Sequence, residues 1–173
     1  DVVFYGGTFA PWHQGHGACI DLSPPEMPLF VCPDRNPHKP LKNESDVIEH
    51  ICNLSLQIHR SVARPVHVYP GFLLKGAHNP TVNWVLRLKQ HRPDLRIHLL
   101  LGYDSFASLK TWTRASDLVS LLSGVLVASR KEQDQDHATD SAWPLSVNPK
   151  LSIKFLGHHA FEHLASSEIA KDV

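Results

Sequence analysis

The chain has 173 residues, of which 42% are hydrophobic, and it carries 17 basic and 17 acidic side chains. That length and apolar content suit one domain with its own core, so we expect residues 1–173 to form a single domain. A net charge of zero excludes a global field that would attract nucleic acid or a membrane, and no apolar run approaches the roughly 18–20 residues of a membrane span.

The cysteine and histidine patterns argue against a disulfide framework and against a familiar metal site. Cys19, Cys32 and Cys52 are odd in number and form no CxxC pair, which favours free thiols in a reducing cytoplasm. His159 and His163 have the i, i+4 spacing of a helical metal site, but no cysteine or carboxylate completes a familiar ligand set. We therefore predict a cytoplasmic protein with no metal site of its own.

Short apolar runs alternate along the chain with longer segments of helical period. The predicted strands are Val2–Tyr5, Leu29–Cys32, Val66–Tyr69, Ile97–Leu101, Val125–Ala128 and Leu151–Leu156. The predicted helices cover 13–22, 44–60, a segment capped by Asn79 with Pro80 in the first helical position, one or two helices in 104–122, and a helix that starts at Ser166. The stretch 33–41 is predicted as a loop, and the polar stretch 131–149 as a long surface loop with some order in its middle. This alternation predicts right-handed βαβ units, a parallel sheet and a ligand site beyond the carboxyl ends of the strands.

The loop after the first strand carries the strongest functional pattern. It reads GGTFAPWHQGH from Gly6 to His16 and leads into a predicted helix. Glycines allow a close backbone approach to a ligand, and a helix that opens near Gln14 presents N–H groups and a positive dipole end to phosphate. His13 and His16 are three apart and can face the same ligand. Such donors stabilise charge that develops on phosphate oxygens, each by about 2.7–4 kcal/mol in comparable oxyanion sites.

This string resembles the GGTFDPxHxGH signature of bacterial nicotinate-nucleotide adenylyltransferases, which belong to the HxGH nucleotidyltransferases. It is more loosely similar to that of pantetheine-phosphate adenylyltransferases. The resemblance implies a Rossmann-like three-layer α/β sandwich with a parallel sheet of about five to six strands, and the use of ATP with Mg²⁺.

Further segments resemble the family in the same order along the chain. They are NPHK from Asn36, PTVN from Pro80, GYD from Gly102 with Leu109 and Trp112, the strand that ends at Arg130, and LASSEIA from Leu164. The resemblance implies catalytic roles for His13, His16 and Lys39. The implied ATP contacts are Gly6, Gly7, Thr8, Phe9, His13, Gly15, His16, Gly102, Asp104, Arg130, Ser166 and Ser167. The implied acceptor contacts are His38, Lys39, Thr81, Asn83 and Trp112.

The expected reaction is transfer of AMP from ATP to nicotinate mononucleotide with release of pyrophosphate, a step of NAD biosynthesis. Nicotinamide mononucleotide and phosphopantetheine remain alternative acceptors. A nucleotide-binding homologue without catalysis is a second alternative, because Ala10, Ala165 and Ala170 replace the family's usual Asp, Ser and Arg. A histidine-based metal-binding protein is a third. The expected partners are small molecules rather than nucleic acid or membrane, and the oligomeric state, a homo-oligomer included, stays open.

Overall fold

A computed structural model describes residues 1–34, 44–74, 80–129, 136–159 and 161. Six strands are present: β1 (Val2–Gly7), β2 (Leu29–Pro33), β3 (His67–Val68), β4 (Ile97–Gly102), β5 (Gly124–Ser129) and β6 (Ser152–His158). The helices are α1 (Gln14–Leu22), α2 (Glu44–Ser61), α3 (Gly71–Leu74), α4 (Thr81–His91), α5 (Tyr103–Ala107), α6 (Ala115–Leu121) and α7 (His137–Val147), with a 3-10 helix at Leu109–Thr111. Among the described residues, no helix has the length and apolar character needed to cross a bilayer.

The strands form one parallel sheet in the order β3-β2-β1-β4-β5-β6. The chain starts in the middle of the sheet, builds outward through β2 and β3, and then crosses over to β4 on the other side of β1. The direction of winding therefore reverses between β1 and β4, and in a sheet of this kind the ligand crevice is expected there, at the carboxyl ends of the strands. This topology confirms the predicted Rossmann-like sheet of parallel strands.

Helices cover both faces of the sheet, because successive side chains of each strand point to opposite faces. Val3 and Tyr5 of β1 pack with Cys19 and Ile20 of α1 and with residues of α2. On the other face, the core of β4 and β5 packs against several helices and includes Val82 and Val85 of α4 and Leu118 and Val119 of α6. The molecule is therefore the three-layer sandwich that the resemblance implied.

The prediction of a loop over 131–149 is wrong for its second half, where α7 runs from His137 to Val147. Pro144 lies inside this helix. Proline disfavours a helix interior and the apolar residues here follow no regular period, so the sequence does not predict the helix. Tertiary contacts outweigh the weak local preference. The Asp136 side chain caps the first turn, and Asn148 Nδ2 donates hydrogen bonds to Val119 O and Leu122 O at the end of α6. Trp143 and Val147 pack onto the core.

Three smaller differences concern the number of helices in one region and the ends of two elements. The 104–122 region holds α5, the 3-10 helix and α6 instead of one or two helices. Pro80 occupies the N-cap position of α4, with Thr81 as the first helical residue, so this helix begins one residue later than predicted. Pro33 ends β2 instead of opening a loop. The rest of the predicted loop at 33–41, apart from Asp34, and the predicted helix at Ser166 lie outside the described residues.

The three cysteines differ in access, which leads to a testable expectation. None of them forms a disulfide; Cys19 and Cys32 are buried, whereas Cys52 is exposed on α2. Burial, followed by the Asp34 carboxylate, raises the pKa of Cys32 to about 12, so its reactive thiolate is scarce at neutral pH. We expect one fast-reacting thiol per folded chain in a titration with a chromogenic disulfide, and three after denaturation. The variant Cys52→Ser should lose the fast phase; two fast thiols in the folded wild type would contradict this picture.

Candidate active site at the β1–β4 crevice

The ends of β1 and β4 form the floor of the crevice. The pairing between these strands runs from Val2–Ile97 to Tyr5–Leu100, and both strands continue two residues beyond it. β1 ends in Gly6 and Gly7, and β4 ends in Gly102. Glycines therefore stand at the edge of the sheet where a ligand is expected in this topology.

The glycines at this edge have different reasons to be glycine. Among the described residues, no atom lies within 4 Å of the place that a Cβ would take on Gly6 or on Gly102. A Cβ on Gly7, in contrast, would stand 3.2 Å from the ring of Phe9. Gly7 is thus explained by internal packing, whereas the open space above Gly6 and Gly102 leaves room for another molecule to approach the backbone.

Phe9 anchors the loop that follows β1. Its backbone is left-handed, with φ of 48°, and its side chain is buried. The ring contacts Tyr5, Trp12 and His16 at centroid distances of 5.1, 5.5 and 5.1 Å. Because this side chain belongs to the core, only the backbone of Phe9 can contribute to a nucleotide site.

Two longer-range contacts hold the same loop against α2. His50 Nε2 lies 3.2 Å from the backbone oxygen of Thr8, and Trp12 Nε1 donates a hydrogen bond of 3.0 Å to Ser61 Oγ. Neither His50 nor Ser61 stands out in the sequence, because each is an ordinary polar residue on an amphipathic helix. The loop is therefore fixed from the side of α2 as well as by its own aromatic residues.

His13 and His16 meet at the start of α1. His13 is the N-cap residue with an extended backbone, and its carbonyl accepts a 3.0 Å hydrogen bond from His16 N. In return, His16 Nδ1 accepts a 3.3 Å hydrogen bond from His13 N. The two rings are stacked, with centroids 3.7 Å apart and planes inclined by 25°. The structure thus brings together the two histidines that the sequence singled out.

The hydrogen bond at Nδ1 fixes the tautomer of the neutral His16 ring. A ring nitrogen that accepts carries no proton, so the neutral His16 ring bears its proton on Nε2 and can donate from there. Both rings are half-buried, and His16 also contacts Trp12 at 5.1 Å between centroids. This packing restricts the ring, which is what a preorganised donor requires.

Gly15 lies between these histidines on the first turn of α1 and is buried. A Cβ at this position would stand 3.0 Å from Cε1 and Nδ1 of His13 and 3.5 Å from Cε1 of His159. A side chain here would displace at least one imidazole, so the geometry explains the glycine without reference to a ligand. His159, which comes from the far end of the sheet, was not predicted at this place.

The remaining described candidates lie on the loops and helix starts that follow β3 and β4. Asp104 is exposed in the first turn of α5, directly after Gly102. Thr81 begins α4, and Asn83 is exposed in its first turn. Trp112 follows the 3-10 helix and is partly buried against the core, so packing already accounts for part of its surface. His38, Lys39, Arg130, Ser166 and Ser167 lie outside the described residues.

The described ranges contain no cluster of side chains that could bind a metal ion. No group of three or more His, Cys, Asp or Glu side chains is arranged there to hold an ion. The second histidine of the predicted i, i+4 pair, His163, lies outside those ranges. Mg²⁺ commonly binds through one or two carboxylates and the phosphates of a substrate, and the exposed Asp104 at the crevice suits that mode.

Solved structures show the same fold. The structure of Plasmodium falciparum nicotinic acid mononucleotide adenylyltransferase complexed with NaAD matches with a TM-score of 0.75 and 18% identity, over 98% of this chain and 82% of that one. A putative nicotinate-nucleotide adenylyltransferase from Vibrio parahaemolyticus matches with a TM-score of 0.53 and 16% identity, over 84% of this chain and 91% of that one.

Curated relatives carry related sequences. The probable nicotinate-nucleotide adenylyltransferase of Chlorobium luteolum is 30% identical over 140 residues, which are 78% of this chain and 71% of that protein. Its counterpart from Chlorobium limicola is 28% identical over 159 residues, 89% of this chain and 79% of that protein. The chain spans 57% of the relative from Gloeobacter violaceus, at 28% identity over 66% of this chain. No family model matches the chain.

The parallel sheet, the glycine turn and the stacked histidines at the start of α1 place the protein among the HxGH nucleotidyltransferases. Within that class, the chain belongs to the nicotinate-nucleotide adenylyltransferase family.

Proposed function

We propose that this chain, as a single nucleotidyltransferase domain, transfers AMP from ATP to nicotinate mononucleotide and releases pyrophosphate. The observation that carries the proposal is the stacked pair of His13 and His16 at the N-terminus of α1, directly above the glycine edge of the sheet. A helix N-terminus attracts phosphate through its N–H groups and its dipole. Two imidazoles at the same place add donors to that attraction.

The reaction itself needs positioning and charge stabilisation. A phosphate oxygen of the mononucleotide attacks the α-phosphorus of ATP, a new phosphoanhydride bond forms, and the bond to the bridging oxygen of the β-phosphate breaks as pyrophosphate leaves. No covalent intermediate with the enzyme is required. The substrate would be the Mg²⁺ complex of ATP, in which the metal would neutralise part of the charge on the phosphates.

His16 Nε2–H is the donor that the geometry supports best. It is held by the hydrogen bond at Nδ1 and by its aromatic neighbours, so it pays little reorganisation when charge develops on the α-phosphate. Because Nδ1 accepts from the backbone of His13, His16 acts as a neutral donor through Nε2–H, with the His13 ring stacked on it. We assign Lys39 a supporting role as a cation for the phosphates.

Binding of the two substrates is divided along the crevice. Gly6, Gly7, Gly15 and the backbone of Thr8 and Phe9 would face the triphosphate, with Gly102 and Asp104 near the ribose. For the far end of the triphosphate we assign further contacts to Arg130, Ser166 and Ser167. For the acceptor we assign His38, Lys39, Thr81, Asn83 and Trp112, where a flat pyridine ring can stack on the indole.

An acceptor series tests the proposal. Pyrophosphate release is measured with Mg·ATP and nicotinate mononucleotide, nicotinamide mononucleotide or phosphopantetheine, and the adenylylated product is identified by mass. We expect the nicotinate substrate to have the highest kcat/KM, by about tenfold or more, because a site that pairs with a carboxylate disfavours the amide. A higher kcat/KM for another acceptor would make that acceptor, and not nicotinate mononucleotide, the proposed substrate. Tight ATP binding without turnover on any of the three would refute the transferase and favour the non-catalytic alternative.

A further inference from the structure

His159 is a buried histidine that the proposed reaction does not use. It follows directly after β6 and is 7% exposed, whereas Gly157 and His158 before it are exposed. Buried histidines are uncommon enough in a parallel sheet to require an account, because their ring nitrogens must be satisfied inside the protein.

The backbone at the end of β6 explains how this residue reaches the crevice. Pairing between β5 and β6 is irregular after Val127, where Ser129 pairs with His158, and Gly157 has a left-handed φ of 85°. An irregularity of this kind bends a strand and redirects the side chains that follow it. β6 is the edge strand on the far side of the sheet. The residue that follows the irregular segment, His159, nevertheless lies close to α1.

The imidazole ring of His159 lies next to Gly15. Cε1 of His159 lies 3.5 Å from the point where a Cβ of Gly15 would stand, and Cε1 of His13 lies 3.0 Å from the same point. Two imidazoles from opposite ends of the chain therefore flank one glycine, and the nearer of them stacks on His16. Both rings therefore lie on the side of Gly15 towards which a Cβ would project, and both pack around the first turn of α1.

The ring orientation of His159 is fixed by its own backbone neighbour. Phe161 N donates a 3.1 Å hydrogen bond to His159 Nδ1. The neutral ring therefore carries its proton on Nε2, as the ring of His16 does. This bond links the turn after β6 to the ring, so the ring cannot rotate without breaking the turn.

We propose that His159 is a positioning residue of the transferase site, which packs against Gly15 and thereby holds the first turn of α1 and the His13–His16 pair in their stacked arrangement. This inference rests on the proposed function for its kinetic consequence but not for its structural one. Through this contact the residue after β6, the strand furthest from β1 on that side of the sheet, packs directly against the proposed phosphate site.

Three variants and a double variant test this role. His159→Ala removes the packing and the acceptor, His159→Asn keeps an acceptor near the Nδ1 position, and His158→Ala is the matched control at the exposed neighbour. We expect His159→Ala to lower kcat about tenfold with a smaller change in the KM for ATP, because small displacements of catalytic groups cost rate. His159→Asn should recover part of the loss, and His158→Ala should behave as wild type.

The double variant separates a specific contact from general loosening. Gly15→Ala crowds the His13 ring at 3.0 Å, and its Cβ would lie in ordinary contact with the His159 ring at 3.5 Å. Removal of the His159 ring should therefore give space that relieves part of its effect. The kinetic effects of Gly15→Ala and His159→Ala should therefore be non-additive, as for residues in contact. Strictly additive effects, with each single variant folded, would overturn the proposed contact.

A readout that does not depend on turnover keeps this proposal apart from the proposed function. In long-range ¹H–¹⁵N spectra of the histidine rings, His159→Ala and His159→Asn should shift the signals of His13 and His16, and His158→Ala should leave them in place. If the wild type releases no pyrophosphate but the ring signals still respond, the proposed function fails and the positioning role stands. Unchanged ring signals in folded His159→Ala would overturn the positioning role even in an active enzyme.

Discussion

Replacement of His16 by alanine is expected to lower kcat for pyrophosphate release by about 100- to 1,000-fold. This is the cost of losing one preorganised donor at a developing oxyanion, about 2.7–4 kcal/mol. The donor is Nε2–H, which is fixed because Nδ1 accepts from the backbone of His13. Since the donor acts mainly on charge that forms in the transition state, kcat should fall more than the KM for ATP rises.

Two further variants show whether the loss belongs to the donor. His16→Gln places an amide N–H near the position of Nε2 and should recover part of the rate. His59→Ala removes a histidine on the exposed face of α2 and should leave kcat unchanged. The thermal unfolding midpoint is measured for each variant, so that loss of fold is distinguished from loss of chemistry. A folded His16→Ala protein with wild-type turnover would remove His16 from the mechanism.

Replacement of Gly15 by alanine is expected to lower kcat by about tenfold or more without unfolding the protein. The added Cβ would stand 3.0 Å from the His13 ring and 3.5 Å from His159, so the His13 ring must shift by a few tenths of an ångström. Misplacement of catalytic groups by about 1 Å costs on the order of 100-fold, so a smaller shift costs less. Because alanine is the better helix former by about 1 kcal/mol, the helix itself should not be weakened.

Gly17→Ala is the matched control on the same helix. Its Cβ would meet Ser61 O at 3.4 Å and Ser61 Oγ at 3.5 Å, which is close to ordinary van der Waals contact. It receives the same gain in helix propensity, and its Cβ would point towards Ser61 and Val62 instead of towards the His13 ring. We therefore expect kcat to fall in Gly15→Ala and to stay close to the wild-type value in Gly17→Ala. Equal turnover in Gly15→Ala and Gly17→Ala would show that the space around Gly15 has no bearing on the reaction.

The parts of the structure that the sequence predicted depend on local patterns. Val2–Tyr5 is a short apolar run ended by glycine, and the helix after it starts where the phosphate-loop pattern requires, so β1 and α1 agree with expectation to within two residues. The parallel sheet and its number of strands followed from the alternation of elements and from the resemblance. The meeting of His13 and His16 followed from their spacing of three residues at a helix start.

The parts that the sequence did not predict depend on contacts between distant segments. α7 contains Pro144 and has no clear apolar face, and it is stabilised by hydrogen bonds from Asn148 to the end of α6 and by the packing of Trp143. His159 reaches Gly15 only because the backbone bends at Gly157, which no periodicity in the sequence records. His50 reaches the Thr8 carbonyl from a helix whose polar face gave no reason to single it out.

The measurement that tests the central claim most directly is the response of the histidine rings to a non-hydrolysable ATP analogue. Ring ¹H–¹⁵N signals are recorded with and without saturating analogue and Mg²⁺, with binding followed in parallel by calorimetry. If the start of α1 is the phosphate site, the His16 Nε2 signal and the His13 signals will shift, and those of exposed His59 will not. Saturated binding that leaves both rings unaffected, or no binding at all, would contradict the assignment of this site.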